Sequence, residues 1–137
     1  MTEKDMIGRI INSIFYVDDV IRIGDKVPYD LQVAHGYFRL NYIDSESFEI
    51  FDARISWDEL IVWFSMYGPL PENLSNRLEQ LKSQVFKPKH RCYRLINPDR
   101  DESEHSYGSS IGESGFYEYM IFNPEQEEVW VVTCTED

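Results

Sequence analysis

The stretch from residue 56 to residue 86 constrains the fold of this chain more than any other. Ser56-Trp57-Asp58-Glu59 has the form of a capping box, because a Ser hydroxyl and a Glu carboxylate three residues on can satisfy the free N–H groups at a helix start. The apolar run Leu60, Ile61, Val62, Trp63, Phe64, Met66 follows, and Gly68-Pro69 ends it. Pro71 suits the first turn of a second helix, in which Leu74, Leu78, Leu81 and Val85 recur at helical spacing. Two such helices need an apolar surface to cover them.

That surface is expected from strands on either side. Thr2 and Asp5 read as a helix cap, with Met6, Ile7, Ile10, Ile11 and Ile14 marking one helical face to about Asn12. An irregular or extended passage follows, since Gly24-Asp25-Lys26 and Val27-Pro28-Tyr29-Asp30 are turn-forming. Phe38, Leu40 and Tyr42 alternate with Arg39 and Asn41 as in a half-buried strand, and with the run from Phe48 to Ile55 predict a β-hairpin across Asp44-Ser45-Glu46-Ser47. Cys92 to Ile96 predicts a third strand. Phe116 to Phe122 and Val129 to Cys134 predict a terminal hairpin. The expected fold is α+β, a mainly antiparallel sheet of about five strands with two to three helices packed on one face. With 137 residues, one domain spanning 1–137 is the economical reading. It is interrupted by a long acidic Ser/Gly-rich loop at 97–115, and loops of that length are usually functional or disordered.

Charge narrows the functional classes. Residues 1–94 carry 12 Lys and Arg against 14 Asp and Glu, a net of −2, whereas residues 95–137 carry 1 against 11, a net of −10. Direct binding to nucleic acid, which needs clustered cations against phosphates, is not expected of a chain with net charge −12. A localised negative field suits steering of a basic partner. The chain opens on Met-Thr-Glu-Lys-Asp, with no run resembling a signal peptide and no stretch approaching the ~20 apolar residues of a membrane span. A cytoplasmic protein without membrane attachment is expected, and Cys92 and Cys134 are then read as reduced, buried thiols.

Motifs for chemistry are weak. Gly108-Ser109-Ser110-Ile111-Gly112 matches a nucleophile elbow in letters, but it precedes a strand where the elbow needs a strand-to-helix turn. Asn97, Asp99, Asp101 and Ser103 alternate like the first ligands of a calcium loop, yet Glu102 stands where the turn needs Gly, and Gly108 where a bidentate Glu is needed. His90 and Cys92 are one closely spaced pair without a second, which does not make a zinc site. His35 and His105 read as solvated or capping residues. No cofactor motif is present, so neither a cofactor nor catalysis is expected.

What stands out is acidity combined with aromatics. Asp99, Asp101, Glu102, Glu104 and Tyr107 lie in the long loop. Tyr117, Glu118 and Tyr119 lie in the next strand, and Glu125, Glu127 and Glu128 surround the hairpin turn. Carboxylates that steer and aromatics that anchor would serve an interface with a basic protein. These residues make a non-enzymatic, partner-binding inhibitor of the immunity-protein or antitoxin type, directed at a basic protein such as a nuclease toxin, the leading expectation. An acidic DNA mimic acting on a defence or regulatory complex uses the same chemistry. A small-molecule binder or small enzyme with a pocket between sheet and helices, and an adaptor subunit acting as monomer or homodimer, are the rivals from other classes.

Overall fold

A computed structural model describes residues 1–16, 19–23, 30–35, 38–66, 68–96 and 116–135. They fall into two compact units, each assembled from separated stretches. The first comprises the described residues among 1–48 together with 96, 116 and 135, and the second those among 49–95 and 117–134.

The first unit opens with helix α1, Glu3–Ile11. Thr2 Oγ1 accepts from the Asp5 N–H at 3.1 Å and Asp5 Oδ2 accepts from the Thr2 N–H at 2.9 Å, closing a reciprocal cap of the expected kind. The hydrogen bonds from the Thr2 backbone and side chain hold the Asp5 carboxyl below its usual range. Ile7 and Ile11 face inward, and Tyr16, Ile43 and Phe48 are also buried. Lys4 ties the helix to the segment 45–48, donating from Nζ to the carbonyl oxygens of Ser45, at 2.9 Å, and Phe48. Strands β1 (Asp19–Ile23), β2 (Asp30–His35) and β3 (Phe38–Arg39) form a three-stranded sheet in that order. Both pairings are antiparallel, with Asp19 opposite Ala34 and His35 opposite Phe38.

This sheet corrects the expected hairpin of 37–55. The first of its strands stops at Arg39, and Leu40–Tyr42 form a 3₁₀ turn. A second 3₁₀ turn, Ser45–Ser47, is capped by Asp44, whose Oδ1 accepts from the Glu46 N–H at 2.8 Å. Strand β4 is short, Phe48–Phe51, and belongs to the other sheet. Side-chain capping at Asp44 and again at Asp52 takes the backbone out of the extended state on both sides of β4.

The second unit contains helices α2 (Ala53–Ser65) and α3 (Glu72–Gln84) and strands β5 (Arg91–Leu95), β6 (Phe116–Asn123) and β7 (Glu128–Thr135). Strands β4, β5, β6 and β7 make an antiparallel four-stranded sheet in sequence order, one strand fewer than expected. The class is α+β, as the patterning indicated. Ala53, Trp57 and Leu60 of α2 pack with Leu78 of α3, Val85, Phe86, Cys92 of β5, and Tyr119 and Ile121 of β6. Trp130, Val132 and Cys134 of β7 border this core, so alternate residues of three strands meet the helices.

Helix α2 begins earlier than the box at Ser56 suggested. Asp52 Oδ1 accepts from the N–H groups of Arg54, at 2.9 Å, and Ile55, at 3.1 Å, and so caps the helix one turn upstream. Ser56 is interior and buried, its Oγ 3.6 Å from Cys92 Sγ.

Among the described residues two backbone positions have positive φ: Gly68, at 92°, after α2, and Glu127, at 51°, in the turn between β6 and β7. Only the first is occupied by the residue suited to it. Gly68→Ala is expected to lower unfolding free energy by about 1 kcal/mol, all of it backbone strain, since no atom lies within 4 Å of the added methyl. Glu127→Gly is expected to shift stability the other way by up to about 1 kcal/mol. Urea denaturation of the two variants checks both signs.

Candidate partner-binding surface

The hairpin joining β6 and β7 carries the best-defined acidic group among the described residues. Asn123 Oδ1 accepts from the Glu125 N–H at 3.2 Å, an Asx turn that reverses the chain and pushes Glu125, Glu127 and Glu128 into solvent. Glu125 lies 3.3 Å from Lys89 Nζ, with both side chains largely exposed. In water such a pair contributes ~0–1 kcal/mol, so Lys89 offsets part of the local charge without organising the fold.

Strand β6 corrects part of the expected surface. Glu118 and Tyr119 are completely buried, leaving them no area to offer a partner. Tyr119 faces the helices and donates its phenol O–H to Glu59 Oε1 at 2.6 Å. Arg94 Nη1 of β5 lies 3.0 Å from the other Glu59 oxygen. The Arg94 guanidinium stands 5.5 Å from the ring centre of Phe51 and 5.6 Å from that of Tyr117, both cation–π distances. Burial, then the hydrogen bond to Glu59, raises the Tyr119 pKa well above the usual phenol value. Glu118, on the opposite face, accepts from Thr133 Oγ1 of β7 at 2.9 Å. Tyr117 is half-buried, with its ring centre 5.8 Å from that of Trp63. Met120 and Phe122 are buried beside Glu118 in the alternation, so β6 is covered on both faces, and its acid and tyrosines serve the interior.

A different feature replaces them at the surface. Ile55 and Val62 of α2 and Met66, its C-cap, are 63%, 66% and 67% exposed. Their spacing of seven and four places them on one stripe, opposite the core-facing Ala53, Trp57 and Leu60. Asp58 is exposed on α2 as well, lying beside the stripe by helical periodicity. The visible signal in the sequence is that residues 53–66 are apolar nearly all the way round, more than one sheet can cover. In the first unit Ile14 and Phe15 are also open, at 83% and 91%.

Asp99, Asp101, Glu102, Glu104 and Tyr107 lie outside the described residues, as do the Asn97–Ser103 and Gly108–Gly112 motifs and His105. His35, expected to be solvated or capping, is buried: its Nδ1–H donates to the Tyr16 carbonyl at 2.5 Å, and its ring stacks on Tyr16 at 3.6 Å. His90 is buried too, donating from Nδ1 to the Val85 carbonyl at 2.8 Å and stacking on Trp130. Among the described residues no group of three His, Cys, Asp or Glu converges as metal ligands would, and no helix is long and apolar enough to cross a membrane.

Cys92 and Cys134 are free thiols on β5 and β7, which flank β6 and are not neighbours in the sheet. Burial pushes both up to about 11, so neither carries the thiolate a nucleophile needs at neutral pH. The folded state holds these protons more tightly than the unfolded chain. Their contribution to stability is therefore complete below about pH 9 and is lost as pH rises toward about 11. A thiol reagent at neutral pH is expected to label Cys92, which is fully buried, only after denaturation, and the half-buried Cys134 slowly in the folded protein; rapid labelling of Cys92 in the native protein would refute its burial.

No protein-family model matches this chain, and no curated protein or solved structure shows significant similarity to it.

Proposed function

We propose that this protein is a non-enzymatic binding module that inhibits a basic protein partner, in the manner of an immunity protein or antitoxin acting on a nuclease. The observation that carries the proposal is the uncovered stripe of Ile55, Val62 and Met66 on a helix whose other side is the core of its unit. Apolar side chains on a rigid element are low-entropy anchors, because the helix that presents them is already ordered before a partner arrives. The net charge of −10 over residues 95–137, which includes exposed Glu125, Glu127 and Glu128, supplies the complementary part. It accelerates encounter with a cationic surface and contributes specificity, while desolvation of the apolar stripe contributes most of the affinity.

The division of labour makes two separable expectations. Neutralising the turn with Glu125→Gln, Glu127→Gln and Glu128→Gln slows association and flattens its salt dependence, with a smaller change in dissociation. Val62→Asp with Met66→Asp leaves the fold intact, since both side chains are solvated, and weakens the complex through faster dissociation by about 100-fold. The experiment is capture of a partner from native cell extract at ~50 and ~300 mM salt, followed by kinetics with the purified pair. Capture of a basic protein by the wild type and its loss with the stripe variant supports the reading. Retention of no basic protein, or equal capture by both variants, removes it.

A further inference from the structure

The second unit holds a cleft of about 280 Å³ lined by Arg54 and Trp57 of α2, Glu79, Lys82 and Ser83 of α3, and Phe86, Lys87 and Pro88 of the segment that follows. Its charge is opposite to that of the chain. Three cations and one carboxylate line it, a balance of +2, in a sequence with 25 acidic and 13 basic side chains. Lys89 makes an ion pair with Glu125 and Arg94 one with Glu59. Arg54, Lys82 and Lys87 make none among the described residues. The Ser83 hydroxyl donates to the Gln80 carbonyl at 3.1 Å, so the charged donors of the cleft are the three cationic heads. Beneath them lie Trp57 and Phe86, with ring centres 5.3 Å apart and each 3% exposed, so that only their margins reach the cleft, and exposed Pro88 stands beside them.

We propose that this cleft binds a small phosphomonoester, with the dianionic phosphate held by Arg54, Lys82 and Lys87 and a compact apolar or aromatic body against Trp57, Phe86 and Pro88. A phosphate monoester carries close to two negative charges at neutral pH and three acceptor oxygens, matching a balance of +2 and three cationic donors. Arg54 supplies the planar fork and the lysines act as mobile point charges. The volume lies just below the usual range of ligand pockets, which run from ~300 Å³ upward, and so favours one phosphate with a single ring over a dinucleotide. This site is separate from the α2 stripe and does not depend on the partner-binding reading.

The probe is phenyl phosphate, titrated into the full chain and followed by NMR at the Trp57 indole N–H and the backbone of α3. Inorganic phosphate and phenol run beside it as the two halves of the ligand. The expected result is saturable binding of phenyl phosphate, with inorganic phosphate at least about tenfold weaker and Lys82→Gln with Lys87→Gln reducing affinity by about 100-fold. Lys89→Gln removes an equal charge outside the cleft and is expected to leave affinity unchanged. All three lysines lie at the surface or its margin, and thermal melts of the variants verify that folding is retained. Absence of shifts at Trp57 up to ~10 mM phenyl phosphate overturns the proposal. So does equal affinity for inorganic phosphate, or binding by the double variant that matches wild type.

Discussion

Removal of the inner face of α2 from water is the interaction on which the second unit depends. Trp57 packs on Phe86, and Phe86 meets Tyr119 edge-on at 5.6 Å between ring centres, so three aromatics from a helix, a connection and a central strand share one contact chain. Each buries ~150–250 Å², an upper-bound stabilisation of about 4–6 kcal/mol apiece. An exposed pair such as Lys89 with Glu125 contributes at most about 1 kcal/mol. The hydrophobic term therefore decides where α2 lies, and the surface charges adjust to the result.

The Tyr119 phenol drawn into that interior is compensated. Tyr119 is wholly buried, and its hydroxyl would lose hydration at a cost of ~1–3 kcal/mol without an acceptor. Glu59 supplies one oxygen to it and the other to Arg94, so a helix, β5 and β6 are joined through a single carboxylate. Hydrogen bonds of this kind discriminate between arrangements more than they add stability, since an alternative packing would strand the phenol, the guanidinium or both.

Helix α2 thus has several different sides. One is core, one carries Glu59 toward Arg94, one exposes Ile55, Val62 and Met66, and its first turn contributes Arg54 and Trp57 to a cationic cleft. An ordinary surface helix alternates a single apolar stripe with polar residues. This one has too little polar surface for that role, and the excess apolar area is what makes it a candidate for recognition.

Local rules made much of the fold legible. The Thr2 and Asp5 cap, the recurrence of Leu74, Leu78, Leu81 and Val85, the stop at Gly68-Pro69 and the turn at Asn123-Pro124 each act within a few residues, so α1, α3, the end of α2 and the β6–β7 hairpin follow from sequence alone. Where two local solutions compete, sequence does not choose. Asp52 and Ser56 can each cap a helix; Asp52 takes the cap, and Ser56, one turn on, lies in the interior beside Cys92. Burial of Glu118, Tyr119 and His35 is likewise a tertiary decision, since alternation identifies the two faces of a strand but not how many of them are covered. The exposed stripe and the cleft are further still from the sequence. The first depends on which half of an apolar helix finds a sheet, and the second on bringing Arg54, Lys82 and Lys87 together across two helices and a connection.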